Sequence, residues 1–264
     1  MQQEPSPLRF LCLVYVLTAP LWLLSGAVHL SGLPDNLPVT DAAATFAPMA
    51  AAALLTFRQG GIRAVTALMR RAVDYSRLGQ HARYLPVFLL FPVLYALTYG
   101  IMRLAEFPVP ATWRLPADAI PVFIAFLAAA AGEELGYTAY AIDPMQARYG
   151  PLKAALLLGA VHAVWHYPSM MQLGQSPALM AWGTLFTIAA RVLTVWLYNS
   201  TGSVFAAILF HAIGNTARSV FPGGRPAFEL ADGAIGYGLV ALAAFVVVAI
   251  TGGSLNFRRE PLRR

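Results

Sequence analysis

Apolar runs long enough for a membrane helix recur along this chain, separated by short connectors rich in proline and charge. A bilayer core of about 30 Å calls for roughly 20 apolar residues per helix. Runs of this kind occupy 10–30, 42–57, 85–104, 119–141, 154–165, 179–198, 204–220 and 234–251. Composition agrees, with 58% hydrophobic and only 11% charged residues, whereas a soluble domain carries about 25% charged residues. The expected fold class is all-α: a polytopic membrane helix bundle of about eight transmembrane helices, forming one integral membrane domain over 1–264.

Charge placement orients the bundle. Arg9, the arginines of the 58–84 segment, Arg148, Lys153 and the C-terminal Arg258, Arg259, Arg263 and Arg264 all fall on one face of an eight-span plan. Arg103, Arg114, Arg218 and Arg225 fall on the other. Basic residues concentrate on the cytoplasmic side, so both termini are expected there. The net charge of +6 therefore reflects membrane orientation, and no nucleic-acid partner is expected. Segment 58–84 sets Ile62, Val65, Leu68, Met69 and Val73 at helical spacing among its arginines, the pattern of a basic amphipathic helix at the cytoplasmic interface with membrane lipids. Cys12 is the single cysteine, which excludes an intramolecular disulfide and a cysteine-based metal site. The first run follows Arg9 and is too long for a typical signal-peptide core, so it reads as a retained anchor.

Against this apolar background the ionisable residues inside spans are functional candidates by default, because charge at membrane depth is costly. Glu133 and Glu134 close the apolar run 120–131. His162 and His166 lie in the fifth run, Arg191 in the sixth, and His211 with Asn215 in the seventh. His29 is more simply an interfacial histidine. Residues four apart share a helix face, which pairs His162 with His166, His211 with Asn215, Glu133 with Tyr137 and Glu134 with Thr138. Adjacent residues point about 100° apart, so the two glutamates are expected to do different jobs. Gly132, Gly136, Gly159 and Gly214 flank these groups, and small residues let membrane helices approach closely. The simplest arrangement gathers spans four, five and seven around one polar chamber.

Three chemistries fit that inventory. A glutamate and a histidine could activate water while a histidine and an asparagine stabilise the oxyanion of an amide carbonyl. His162, His166 and His211 with Glu134 could instead hold zinc, although the His162–His166 pair lacks the glutamate of the HExxH zinc motif. The cluster could also serve an ion or proton relay. The plainer alternative is a satisfied polar network that only fixes helix packing.

Three segments add a resemblance. Glu133-Glu134-Leu135-Gly136-Tyr137-Thr138 resembles the EExxxR motif of the CPBP intramembrane proteases, which include the type II CAAX prenyl endopeptidases. His162-Ala163-Val164-Trp165-His166 resembles their FxxxH motif, and His211-Ala212-Ile213-Gly214-Asn215 their HxxxN motif. Each motif alone is weak; three in order, on separate apolar runs across 132–216, are fairly specific. The resemblance implies an intramembrane endopeptidase of the glutamic type, free of metal and other cofactors. Its catalytic residues would be Glu133, Glu134, His166, His211 and Asn215, with His162 and Thr138 in support. A peptide or lipidated-protein substrate and a bacterial or archaeal cytoplasmic membrane follow from the same likeness. The zinc-dependent variant and a non-catalytic binding, immunity or transport protein are the alternatives. Two positions depart from the pattern: Thr138 stands where the motif has arginine, and His162 where it has phenylalanine. The charge of the glutamates must then be balanced from elsewhere, with His162 the first candidate and Arg191 another.

Overall fold

The computed structural model describes residues 6–25, 39–75 and 81–256. His29, the connector after it and the C-terminal arginines lie outside them. Every regular element among the described residues is helical. The long helices are α1 (Pro7–Ser25), α3 (Ala47–Arg70), α4 (His81–Leu104), α5 (Ala119–Gly136), α7 (Pro151–Gln172), α8 (Pro177–Thr201), α9 (Val204–Ser219) and α11 (Ala234–Thr251). Short α2 (Val39–Ala44), α6 (Asp143–Tyr149) and α10 (Gly224–Phe228) join them. Each expected apolar run overlaps a long helix, but α3 joins the second run to the first half of the basic 58–84 segment. Five stretches among the described residues are helical, long and apolar enough to cross a membrane: Pro7–Ser25, Tyr84–Leu104, Ala119–Tyr149, Pro177–Thr201 and Leu230–Thr251. The expected count was eight membrane-spanning helices; among the described residues five qualify, and α3, α7 and α9 fall outside that set. Helices α7 and α9 carry His162, His166 and His211, and α3 kinks at Gly60 and Gly61.

The lipid-facing surface is legible in α4. Val87, Phe91, Tyr95, Thr98 and Met102 are buried, while Leu85, Phe88, Leu89, Val93, Leu97 and Ile101 are exposed. A helix apolar on both faces has no solvent side and belongs in hydrocarbon. Leu242, Phe245, Val246 and Ile250 give α11 a similar exposed face. The protein is an all-α integral membrane bundle.

Two boundaries differ from the sequence expectation. A turn was expected from Asp143 to Lys153, but the fourth run continues through a π-helical turn, Tyr137–Ile142, into α6. The reversal is confined to Gly150, at φ 78°, where glycine carries no Cβ penalty. Pro151 then starts α7 where its missing N–H is not needed. The fifth run was expected to stop before Pro168, yet α7 passes through it to Gln172. Membrane helices tolerate proline because neighbouring groups satisfy the freed backbone.

The π turn follows the glutamates directly, and π turns leave carbonyls out of the regular ladder. One of these, Ala139 O, accepts from Arg71 Nη1, while Arg71 Nη2 donates to Tyr198 Oη at 2.7 Å. Arg58, Arg63 and Arg70 of the basic segment are exposed; Arg71 instead turns inward. The start of α9 is held equally firmly. Ser203 caps it by accepting from Ala206 N, and Asp74 accepts from Ser203 Oγ at 2.7 Å and Phe205 N at 3.1 Å. A carboxylate at a helix N-terminus satisfies orphan donors and complements the dipole. His211 and Asn215 therefore ride on a fixed helix.

Candidate active site

Four helices meet around a cavity of about 230 Å³. Glu133 and Glu134 come from α5, His162 and His166 from α7, Arg191 from α8, and His211 and Asn215 from α9, and all line it. Spans four, five and seven do converge, and span six joins them. Close backbone approach makes this possible. A Cβ on Gly136 would stand 2.5 Å from Pro48 Cβ on α3, and one on Gly159 would stand 2.9 Å from Ile188 Cα on α8. The second contact seats α8 against α7 and brings Arg191 beside His162.

Arg191 is the hub. Its guanidinium donates to Glu134 through Nη1–Oε2 at 2.7 Å and Nη2–Oε1 at 3.1 Å, the strong two-pronged form of an arginine–carboxylate pair. Nη2 also lies 3.2 Å from His162 Nδ1. Guanidinium only donates, so Nδ1 of His162 accepts and the ring proton belongs on Nε2. That Nε2 stands 3.0 Å from Glu133 Oε2, a close approach without an aligned hydrogen bond. Arg191 thus holds one glutamate directly and faces the other through a histidine. The ring of Tyr137 lies under the guanidinium at 5.2 Å and beside His162 at 4.6 Å.

The cation opposite the carboxylates is therefore Arg191. His162, named first in the sequence reading, is an intermediary. Thr138, in the motif's arginine position, donates its hydroxyl to Glu134 Oε2 and lies 3.4 Å from Arg191 Nη1. A short side chain there leaves room for the guanidinium arriving from α8.

The two glutamates are unequal, as their angular offset required. Glu134 is fully buried and meets four donors: Thr138, both Arg191 nitrogens, and His211 Nδ1 at 2.9 Å. A carboxylate offers about four acceptor positions, so Glu134 is saturated. Glu133 has no aligned hydrogen bond on Oε2, and His211 Nε2 stands 4.0 Å from that oxygen. His166 lies tilted against His162 at 4.8 Å and edge-on to Trp165 at 4.9 Å. The imidazole beside Glu133 is that of His162.

Zinc does not suit this constellation. Glu134 and His162 both face the Arg191 guanidinium, so two of the four candidate ligands are already committed to a cation. Among the described residues no group of three or more His, Cys, Asp or Glu side chains converges as metal ligands.

Sequence reasoning named Arg191 without its face, and it placed Tyr137 on the face of Glu133 without giving it a role. A signal for Arg191 was present. Thr187, Arg191 and Thr194 sit at i, i+4 and i+7, a polar stripe on an apolar helix, and all three line the cavity.

Residues 115–217 match the family model described as type II CAAX prenyl endopeptidase Rce1-like. The CAAX prenyl protease 2 of Methanococcus maripaludis is 33% identical over 84 residues, which cover 32% of this chain and 31% of that protein. The chain therefore matches about a third of that relative's length. The matched stretch holds all three motifs, Arg191 and Thr138, and over it the chain is similar to the Rce1-like type II CAAX prenyl endopeptidases.

Proposed function

We propose that this protein is an intramembrane endopeptidase that hydrolyses a peptide bond of a lipidated, CAAX-type substrate with water as nucleophile. The match of residues 115–217 supports the class of activity. The name of the relative from Methanococcus maripaludis supports a prenylated peptide and a prokaryotic cell membrane. The observation that carries the reading is the inequality of the two carboxylates: one is saturated, and the other lines the cavity with His162 beside it and His211 4.0 Å away.

Glu133 is the general base. It takes a proton from water as the oxygen attacks the carbonyl carbon. His162, set by Arg191, fixes the carboxylate from one side. His211 gives Nδ1–H to Glu134, which aims its Nε2 toward Glu133 and the cavity. With a second proton on that ring, Nε2–H and the Asn215 carboxamide are donors to the oxyanion. Charge balance favours this state: two carboxylates against one guanidinium leave one negative charge, which one imidazolium offsets. When the tetrahedral intermediate collapses the C–N bond breaks, and the proton held by Glu133 passes to the leaving amine. His166 borders the same space as a second proton carrier. The reaction is metal-free, in keeping with a site whose central cation is an arginine.

The test is cleavage of an S-prenylated peptide by the reconstituted protein. Glu133→Gln should reduce kcat by about 10²–10⁴, the usual contribution of a positioned base. His166→Ala should also slow turnover. Activity that survives Glu133→Gln, Glu134→Gln and His166→Ala alike would overturn the assignment. Chelation should leave the rate unchanged, and a stoichiometric metal whose removal stops turnover would overturn the metal-free mechanism.

A further inference from the structure

The reactive groups of the cavity sit near mid-depth in the bundle. At 1.5 Å per residue, His211 lies about 10–12 Å from either end of α9 and His162 about 15–16 Å from either end of α7. From about that level the lining extends toward one end. It runs from Glu134 back to Phe126 on α5, from His162 forward to Leu173 on α7, from Thr194 back to Gly183 on α8 and from Phe210 forward to Arg218 on α9. The opposite half is packed solid. Every residue from Gly132 to Ile142 is buried, as is each from Arg191 to Tyr198 on α8 and from Ala206 to Phe210 on α9. Phe10 of α1 has no exposed surface and lies against Tyr137 at 6.0 Å and Tyr140 at 5.3 Å. Interiors filled to this density leave no passage for a peptide.

Charge tells the two ends apart. At the closed end Arg71 donates to Tyr198, Asp74 caps α9, and Gln146 pairs with Asn199 at 3.1 Å. Arg58, Arg63, Arg70, Arg71, Arg148 and Lys153 belong to the segments that meet there, with Arg9 beside Phe10. At the open end Trp113 Nε1 donates to Val220 O at 2.8 Å and Ser176 Oγ to Asp232 Oδ1 at 2.6 Å. The basic residues of that end are Arg103, Arg114, Arg218 and Arg225, and the last two line the cavity. Connectors rich in lysine and arginine stay on the cytoplasmic side, which makes the closed end the cytoplasmic one.

We infer that the cavity opens on the extracytoplasmic side and that its substrate is an extended peptide on the external flank of a membrane-anchored chain. This rests on the proposed endopeptidase function and adds the side from which the bond is reached. A lipid-anchored substrate would present its peptide from the outer leaflet. A cavity of about 230 Å³ takes a short extended stretch and no folded domain. A step that carries this flank across the bilayer must therefore precede the cut.

The experiment uses the full-length protein in a Cys12→Ser background, with one cysteine introduced at a time. Arg114→Cys reports the open end, Arg148→Cys the closed end and Gln175→Cys the cavity wall; Arg114 and Arg148 are exposed and Gln175 is half-buried. A membrane-impermeant maleimide should label Arg114→Cys and Gln175→Cys in intact spheroplasts, and Arg148→Cys only after lysis. An S-farnesyl peptide with a sulfonated fluorophore that keeps it from crossing the bilayer should be cut by right-side-out vesicles. Inside-out vesicles should cut it only after detergent is added. Maleimide attached to Gln175→Cys should suppress the cleavage by blocking the mouth, and maleimide on Arg148→Cys should leave it intact. Labelling of Arg148→Cys in intact spheroplasts, or of Gln175→Cys only after lysis or denaturation, overturns the proposal. Cleavage confined to inside-out vesicles also overturns it and leaves the protease standing. Labelling as expected, with no cleavage of the peptide even in detergent, upholds the open side and overturns the protease.

Discussion

A buried carboxylate needs a partner, and in this site the partner comes from a different helix than the family motif supplies. The side chains of Arg191 and Glu134 are only 3% and 1% exposed, so removing one strands the other. Breaking such a pair costs about 3–5 kcal/mol. Arg191→Ala should therefore unfold well below wild type in detergent and lose activity. Thr138 already touches both groups, which suggests a compensating pair. Thr138→Arg alone should destabilise, because two guanidinium groups would compete for one carboxylate. Thr138→Arg combined with Arg191→Ala should recover part of the lost stability and turnover. A double variant no better than Arg191→Ala would show that the position of the cation, and not merely its presence, matters.

The elements that carry these residues are held by short contacts and caps. Helix α7 touches α8 through Gly159, where a Cβ would crowd Ile188 Cα and Arg191 Cβ. Gly159→Val should push α8 outward and loosen the link between Arg191 and His162. An overpacked contact of this kind costs about 1–3 kcal/mol, and turnover should fall more than the melting temperature implies. Stability assays run in parallel with cleavage would check that split. Helix α9 depends on Asp74 from the end of α3's extension. Asp74→Ala should cost about 1–2 kcal/mol, as other lost N-caps do, and should misplace His211 and Asn215 together. Loss of stability without any change in kcat would argue that α9 is held mainly by its other packing.

For the molecule as a whole the decisive property is an exposed apolar surface. Leu85, Leu97 and Leu104 on α4 and Leu242, Phe245 and Ile250 on α11 are all exposed by more than half or close to it, far more than water tolerates in one protein. The protein should stay with the membrane through an alkaline carbonate wash and come away only in detergent. Release by carbonate would contradict the spanning helices. The polar cavity is the exception in this apolar body, and its walls come mainly from α5, α7, α8 and α9, helices that follow closely along the chain. The proposed hydrolysis would thereby be housed among helices whose outer faces meet lipid, a placement suited to a lipid-anchored substrate.

Much of this was legible from the chain alone. Apolar run length determined the all-α bundle, since hydrocarbon leaves backbone groups no partner but the helix itself. The i, i+4 spacings placed Glu134 with Thr138, His162 with His166 and His211 with Asn215, because a shared face is a local property of one helix. The boundaries at Asp143 and Pro168 were misread, since proline and charge usually end helices and only the packing of neighbours lets them continue. The pairing of Arg191 with Glu134, the saturation of Glu134 and the openness of Glu133 came from tertiary structure. They depend on how helices rotate and close against each other, which the Gly159 contact sets and which no spacing within a single helix encodes. The sequence could show that the arginine of the motif was missing at Thr138; only the packing of α8 against α7 decided where its charge would come from.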